Sequence, residues 1–266
     1  MHEILRNLRP GARVLDLGAL TGSFPAACCP RALIVRLDLE KPASGDRLGF
    51  VQGDASRLPF SGHSFDAVIA NHSLEHISPL KEALREIGRV TIPDGSLFVA
   101  VPDASTFSDR LFRWIYRGSS GHVNPFCSAS DLAVEITRAT RLPLRAQRPL
   151  YSSFEYLNRY YFGPQTSWRL RLLGNGHRKF IVLLSYATRL FDRIFNARTS
   201  AYGWAFYFGQ VGENVETAAW SNVCVGCGAA HSAVLLQVQN LVERRFLFKY
   251  YHCPDCGSFN LFTLDP

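Results

Sequence analysis

Short apolar runs alternate along the first 150 residues with segments whose apolar side chains recur every three or four positions. The runs predict strands near residues 12–17, 32–38, 48–51, 66–71 and 95–101. The periodic segments predict helices near residues 22–28, 78–90 and 128–140. Strands that alternate with helices are typical of a doubly wound, mostly parallel α/β sheet.

The segment from Arg13 to Phe24, RVLDLGALTGSF, combines a buried strand, an acidic residue and a turn bounded by two glycines. Gly18 and Gly22 permit a tight turn and leave room for a ligand close to the backbone. Open α/β sheets bind adenosine-containing cofactors at such a turn. A dinucleotide fingerprint would need glycines where Leu20 and Ser23 stand, which disfavours NAD.

Further motifs follow in a fixed order. The second strand ends at Asp38, at the offset of a ribose-binding carboxylate, and is followed by VQGDA (51–55), LPFSGHSFDAVIANHSLEHI (58–77) and IPDGSLFVAVP (92–102). Over residues 10–150 this set resembles the class I S-adenosylmethionine (SAM)-dependent methyltransferases, in particular the small-molecule, methyltransferase type 11-like group. One departure is Leu20, which replaces the middle glycine of the family's GxGxG turn and would narrow the pocket near the methionine portion of SAM.

The resemblance implies a Rossmann-like, doubly wound, mostly parallel seven-stranded sheet with an antiparallel last strand. Residues 143–150 supply the sixth strand, and the aromatic-rich Ala201–Val211 supplies the last. The predicted domains are a SAM-binding core (1–150 and 201–212), a helical insertion that acts as lid or acceptor region (151–200), and a small zinc-ribbon-like tail (220–266).

The resemblance also assigns the cofactor site. Asp38 would accept hydrogen bonds from both ribose hydroxyls, and Asp54 with Ala55 would contact the adenine edge. The alternative for both carboxylates is a capping role at a turn or helix. The predicted cofactor-binding residues are Asp16, Gly18, Ala19, Gly22, Asp38, Leu39, Asp54, Ala55 and Asn71.

Methyl transfer is an in-line displacement, so much of the catalysis is positioning. His72 follows the fourth strand at the ligand-binding edge, and His122 lies in the loop that covers the acceptor in similar methyltransferases; both are candidate catalytic bases. A lip or loop contact without proton transfer is the alternative for each. Glu75 and His76 of the LEH motif are expected mainly to brace the loop. The sequence NHSL, in place of an NPPY-like motif, disfavours methylation of nucleobase amino groups.

Positive charge concentrates in the insertion. The chain carries a formal net charge of +7 and a pI near 9.2, and residues 151–200 hold eight basic residues against two acidic ones. The segment Lys179–Phe195 predicts an amphipathic helix that buries one apolar stripe against the domain, a partner or a lipid-like acceptor. The predicted stripe comprises Phe180, Leu183, Leu184, Ala187, Leu190, Phe191 and Phe195.

The seven cysteines form two groups. Cys28, Cys29 and Cys127 are dispersed and are expected to be small buried apolar residues. Cys224, Cys227, Cys253 and Cys256 form two CxxC pairs, each followed by glycine, which predicts a closed, structural zinc site. Disulfides are the weaker alternative. Strand-like runs at Ala233–Val238 and Phe246–His252 are expected to form a hairpin between the pairs.

The N-terminus lacks the apolar stretch of a signal peptide, and no uncharged run approaches the ~18 residues of a membrane span. A cytoplasmic location is therefore expected. The sequence predicts a SAM-dependent methyltransferase that modifies an O, N or C atom of a small or amphipathic acceptor, with membrane-surface contact through the insertion. The alternatives are an RNA-binding or RNA-modifying methyltransferase, for which nucleic acid is the partner, and an inactive scaffold of the same fold.

Overall fold

The computed structural model describes residues 4–5, 8–20, 22–23, 31–42, 49–116, 121–158, 168–172, 176–211 and 219–265. Its main sheet has seven strands in the order β3-β2-β1-β4-β5-β7-β6. The strands are β1 (Arg13–Leu17), β2 (Leu33–Asp38), β3 (Phe50–Gln52), β4 (Phe65–Asn71), β5 (Thr91–Pro102), β6 (Leu144–Tyr151) and β7 (Ala201–Gly209).

Strands β1 to β5 pair in parallel. The direction of β7 is opposite, because the amide of Gln210 donates to Gly95 O at one end while the amide of Asp103 donates to Tyr202 O at the other. The predicted fold class, a mostly parallel seven-stranded sheet with an antiparallel last strand, is confirmed.

The helices are α1 (Leu80–Val90), α2 (Phe107–Ile115), α3 (Ala129–Thr140), α4 (Trp168–Leu172), α5 (Arg178–Phe195) and α6 (Ala233–Val238), with 3₁₀ helices at Ala55–Arg57, Leu74–His76 and Glu155–Leu157. The predicted helices at 78–90 and 128–140 are confirmed, and the one predicted at 22–28 lies outside the described residues. Helix α2, capped by the Thr106 side chain, was not predicted.

Chain contacts divide the protein into two compact units. Unit 1 comprises Met1–Pro102, Gly121–Arg148 and Trp204–Thr217, and unit 2 comprises Asp103–Ser120, Pro149–Gly203 and Ala218–Pro266. Apolar side chains of β1, β4, β5, α1 and α3 form one core cluster, in which α1 and α3 cover the sheet. This cluster fixes the strand ends at which ligands bind in such sheets.

The C-terminal part of unit 2 contains β8 (Asn222–Val223), β9 (Ala230–His231), β10 (Val242–Arg245), β11 (Phe248–His252) and β12 (Phe259–Leu261). The hairpin expected between the cysteine pairs is therefore β10 with β11. The expected strand Ala233–Val238 is wrong, since these residues form α6. The Ser232 hydroxyl caps that helix by accepting from the Leu235 amide at 3.0 Å. The segment is too short for its apolar residues to distinguish the periodicity of a helix from that of a strand.

Helix α5 exists where the insertion predicts it, but its predicted apolar stripe is not the face that packs against the protein; burial of the stripe against a partner or a lipid-like acceptor stays a prediction. The helix buries Ile181, Val182, Ser185, Arg189 and Asp192. Side chains of the predicted stripe such as Leu183 and Phe191 are exposed.

A buried polar network explains which face of α5 is turned inward. The Arg189 guanidinium donates to Ser221 O at 3.1 Å and to Leu261 O at 2.9 Å. The Asp192 carboxylate accepts from the backbone amides of Thr199 at 2.6 Å and Ser200 at 2.7 Å. Because buried polar groups require such partners, these bonds decide the orientation of the helix.

Candidate functional site

The carboxyl ends of β1, β2 and β4 lie side by side. Leu17 of β1 is in register with Leu37 of β2, and Asp16 is in register with Ile69 of β4. The chain runs from β1 outward to β2 and β3 and then crosses to β4 on the other side of β1. Ligands of doubly wound sheets bind at this switch point.

Gly18 sits in the turn that leaves β1 at this point. Its φ is +66°, its amide donates to Leu37 O at 2.7 Å, and a Cβ there would lie 2.5 Å from Ser73 Cβ. Gly22 also has a positive φ, of +97°, and its amide donates to Ala19 O at 3.1 Å. The positive φ explains why glycine occupies both positions, and the contact with Ser73 leaves no space for a side chain at position 18.

Asp16 is buried beneath the same turn. Its Oδ2 accepts from the Ser23 amide at 2.8 Å and its Oδ1 from the Ser23 hydroxyl at 2.6 Å. Burial raises the pKa of this carboxyl. The carboxylate holds the turn closed, and its predicted contact with the cofactor stays a prediction.

Two more carboxylates follow β2 and β3. Asp38 Oδ1 accepts from the Glu40 amide at 3.2 Å, and Asp54 Oδ1 caps the next 3₁₀ helix by accepting from the Ser56 amide at 2.8 Å. Because the Gly53 amide donates to Asp38 O at 3.0 Å, the two segments are neighbours. Asp54 thus has the capping role that the sequence left open. Ala55 beside it is buried, and Leu39 is exposed.

The opposite wall of the crevice begins at Asn71, which pairs with Ala100 at the end of β4. His72 follows with a φ of +54°, and its Nδ1 lies 3.6 Å from Oε1 of the buried Glu75. A positive φ at a residue other than glycine is uncommon and marks a position worth examining for function.

The loop that begins at Gly121 is fastened to the same wall. The amide of Val123 donates to Glu75 O at 2.8 Å, and Asn124 Nδ2 donates to Leu74 O at 2.8 Å and to Ile77 O at 2.7 Å. The structure therefore brings His72 and His122, which are 50 positions apart in the chain, to the 3₁₀ helix Leu74–His76.

Glu75 lies close to both candidate bases, His72 and His122. One ligand atom each of Glu75, His76 and His122 lies within 4.8 Å of the others, and the rings of His76 and His122 are 4.8 Å apart at an interplanar angle of 74°. Oε2 of Glu75 is buried and accepts no hydrogen bond within the described part of the chain. Such a group could orient two histidines or hold a divalent cation. The LEH motif is the sequence signal for this cluster, although the motif by itself predicts mainly a bracing role for Glu75 and His76.

The four tail cysteines meet in unit 2. Their sulfurs all lie within 4.8 Å of one another, with Cys224 Sγ 3.6 Å from Cys256 Sγ and Cys227 Sγ 3.7 Å from Cys253 Sγ. Thiolates around tetrahedral zinc, with bonds of about 2.3 Å, are separated by about 3.8 Å. The observed distances fit such an ion and exceed the ~2.05 Å of a disulfide.

Both CxxC segments fold in the same way. The amide of Gly228 donates to Cys224 O at 2.9 Å, and the amide of Gly257 donates to Cys253 O at 2.8 Å. These glycines have φ values of +73° and +70°, which let the backbone turn back toward the sulfurs. The predicted ligand set therefore converges, with His231 Nε2 3.5 Å from Cys253 Sγ beside it.

Comparison with known proteins finds a domain family that is similar to the part of the chain that forms the crevice. Residues 15–99 match the family described as a methyltransferase domain. The chain is 46% identical over 99 residues to demethylmenaquinone methyltransferase of Beutenbergia cavernae, covering 35% of this chain and 41% of that protein. It is 31% identical over 140 residues to malonyl-[acyl-carrier protein] O-methyltransferase of Methylococcus capsulatus, covering 48% of this chain and 50% of that protein.

The matching region spans about half the length of these curated relatives. Among solved structures, YcgJ of Bacillus subtilis superposes with a TM-score of 0.51 at 21% identity and covers 79% of this chain and 98% of its own. That similarity supports the fold. Of the helices in the described ranges, none is long and apolar enough to cross a membrane.

Proposed function

We propose that this chain is a SAM-dependent methyltransferase whose cofactor binds in the crevice between the turn after β1 and the end of β4. The observation that carries the proposal is the position of Gly18. Its turn lies at the topological switch point, where no side chain fits, beside the segments that carry Asp38 and Asp54. The match of residues 15–99 to a methyltransferase domain supports the same reaction.

The predicted residues have compatible places around this crevice. Asp38 has acceptor capacity beyond its bond from the Glu40 amide and would bind the ribose hydroxyls. Asp54 and Ala55, which follow β3, would contact the adenine, and the backbone of Gly18, Ala19 and Gly22 would contact the ribose and methionine portions. Bound there, SAM supplies an electrophilic methyl group. The chain's own part is to orient the acceptor on the line of transfer and to exclude water.

For the proton released by the acceptor, we propose that His72 or His122 is the base and that Glu75 is a positioning residue. A buried carboxylate beside an imidazole fixes the orientation of the ring and stabilises its protonated form. The 3.6 Å separation of His72 Nδ1 from Glu75 Oε1 and the fastening of the loop at Gly121 support this arrangement.

The acceptor class is inferred from the relatives. The names of the two relatives above specify a quinone precursor and a malonyl group on a carrier protein. We propose a small or amphipathic acceptor that is methylated on an O, N or C atom. A lid or acceptor role for residues 151–200 stays a prediction.

We propose that the cysteine cluster holds one structural zinc ion. Four thiolate ligands leave no open coordination position, so the ion would stabilise unit 2 and take no part in methyl transfer.

The nucleic-acid alternative has less support, because two of the insertion's arginines are engaged within unit 2. Arg189 is buried, and the Arg169 guanidinium lies 5.7 Å from the ring centroid of Trp114 and 5.3 Å from that of Trp168. A phosphate-binding face would need these charges in solvent.

The test combines binding and transfer. Calorimetry with SAM establishes whether the cofactor binds, and methyl-labelled SAM with a cell extract, fractionated into small molecules, protein and RNA, identifies the acceptor class. Label in RNA supports the alternative, and binding without transfer supports the inactive scaffold. With the acceptor in hand, Glu75→Gln should lower kcat and shift its pH profile while SAM affinity is kept. Absence of SAM binding would refute the proposal.

A further inference from the structure

The turn between β10 and β11 presents two large apolar side chains to solvent. Arg245 pairs with Phe248, so the hairpin closes through two residues, Phe246 and Leu247, which are 87% and 90% exposed. We call these two residues the tip. Two-residue turns favour Asn-Gly or Asp-Gly because they require a positive φ. Phe246 has a φ of +53°, which is strained for an aromatic residue.

Positive charge surrounds the tip. Arg244 is paired with Lys249 across the hairpin and Arg245 lies next to the turn, and all three side chains are exposed. The neighbouring acidic residue, Glu243, accepts a hydrogen bond from the Tyr250 hydroxyl. The hairpin therefore joins exposed apolar surface to a local excess of basic residues.

An apolar groove continues this surface to helix α5. It has a volume of about 610 Å³ and is lined by Val182, Leu183, Phe248, Phe259 and Leu261, with Arg178 and Lys179 as its basic residues. The ring centroids of Tyr186 and Phe248 are 6.1 Å apart, which ties the helix to the hairpin.

Along α5, five of the exposed apolar residues form a stripe at helical spacing: Phe180, Leu183, Ala187, Phe191 and Ile194. We call this set the outer stripe. A helix whose apolar side faces solvent and whose flanks carry basic residues is typical of a membrane interface. Exposed Arg193 lies on the same helix.

We propose that the tip, the groove and the outer stripe form a docking face for an anionic lipid bilayer. In this arrangement Phe246 and Leu247 enter the acyl region, and the flanking arginines and lysines contact anionic headgroups. Charge complementarity selects the anionic surface. Leu247, the most exposed side chain of the tip, is aliphatic and cannot stack on a base, which favours lipid over single-stranded nucleic acid as the occupant.

The proposal is tested with the purified full-length protein and two kinds of large unilamellar vesicle, phosphatidylcholine alone and phosphatidylcholine mixed with phosphatidylglycerol. Co-flotation should occur with the anionic vesicles and weaken as ionic strength rises. The double variant Phe246→Ser/Leu247→Ser should reduce vesicle partitioning by about a hundredfold. Each neutralisation among Arg244→Gln, Arg245→Gln and Lys249→Gln should reduce it about fivefold.

The control is Leu33→Ser/Val134→Ser, which removes two apolar side chains that are 60% and 57% exposed in unit 1 and should leave partitioning unchanged. Circular dichroism and metal content verify that each variant is folded. In a second measurement, the added fluorescence of Phe246→Trp should be quenched by brominated acyl chains in anionic vesicles.

Three results would overturn the proposal. In the first, the wild type does not bind anionic vesicles. In the second, the tip double variant binds them as well as the wild type does. In the third, brominated acyl chains do not quench the fluorescence of the tryptophan in Phe246→Trp. A different outcome would assign the face to another partner. In that outcome the wild type does not bind vesicles but binds RNA or self-associates in sedimentation, and the tip double variant loses that interaction. Methyl transfer is measured separately, so failure here leaves the proposed reaction intact.

Discussion

Helix α1 in unit 1 buries a purely apolar face, whereas helix α5 in unit 2 buries a face that mixes Ile181 and Val182 with polar and charged residues. The buried residues of α1 are Ala83, Leu84, Ile87 and Val90, all apolar. On α5 the buried face includes Arg189 and Asp192, while Phe191 and Ile194 are exposed. The main core cluster of unit 1 is apolar, whereas unit 2 combines its own apolar clusters with a buried polar network and with the cysteine cluster.

The contrast has a physical basis in what each helix packs against. Helix α1 lies on a broad sheet, where burial of apolar area is the main driving force. Helix α5 packs against loop backbone and the end of β12, where the carbonyl groups of Ser221 and Leu261 and the amides of Thr199 and Ser200 need partners. A buried arginine and a buried aspartate satisfy them.

The largest expected effect is loss of unit 2 when the proposed zinc is removed. The wild type should contain about one zinc per chain, and Cys253→Ser should release it, because three thiolates hold the ion far less tightly. Hydrogen exchange should then accelerate in β8–β12 and in α5, while β1, β4 and SAM binding remain protected. Cys127→Ser, outside the cluster, is the control. Metal-free wild-type protein, or iron in place of zinc, would contradict the prediction.

The next largest effect is expected from replacing the buried Arg189. Arg189→Met removes bonds to Ser221 O, Asn222 and Leu261 O, and should lower the free energy of unfolding of unit 2 by about 2–4 kcal/mol. Urea denaturation followed by hydrogen exchange of unit 2 measures it. Arg193→Met, an exposed position one turn further along the helix, should change stability by less than about 0.5 kcal/mol. Equal effects from the two substitutions would show that the network contributes nothing.

In unit 1, the corresponding substitution is expected to change SAM affinity and not stability. Asp38→Ala should remove two charge-assisted hydrogen bonds to the ribose, each worth about 1.5–3 kcal/mol, and weaken SAM affinity at least about tenfold without unfolding the protein. Titration calorimetry measures the affinity, with Glu40→Ala as the exposed neighbouring control. Unchanged affinity in Asp38→Ala would remove this residue from the site.

The smallest effect is expected at Ile194, in a comparison of the same substitution made in both helices. Ile87→Ala in α1 should cost about 2–5 kcal/mol, since Ile87 is fully buried. Ile194→Ala in α5 should change stability by less than about 0.5 kcal/mol, since Ile194 is 63% exposed. Thermal or urea unfolding of both variants compares them directly. A large loss in Ile194→Ala would mean that the outer stripe is buried in solution.

The sequence by itself determined the elements whose signals lie within a few neighbouring residues. The apolar runs of β1 to β5, the period of α1 and α3, the turn at Gly18 and Gly22, and the two CxxC pairs are all such local features. Each requires only its own residues to be recognised, and each is present in the structure near its predicted bounds.

Tertiary structure alone decided the features that depend on distant partners. Arg189 bonds to Leu261, 72 positions away, and His76 Nδ1 contacts the carbonyl of Gly121, 45 positions away. The period of α5 shows that it has two faces, but which face is buried depends on the backbone groups it meets. In the same way, the meeting of His122 with Glu75 depends on where a loop is fastened. Hydrogen bonds across such separations leave no periodic trace in the sequence, because their partners are set by the folded backbone.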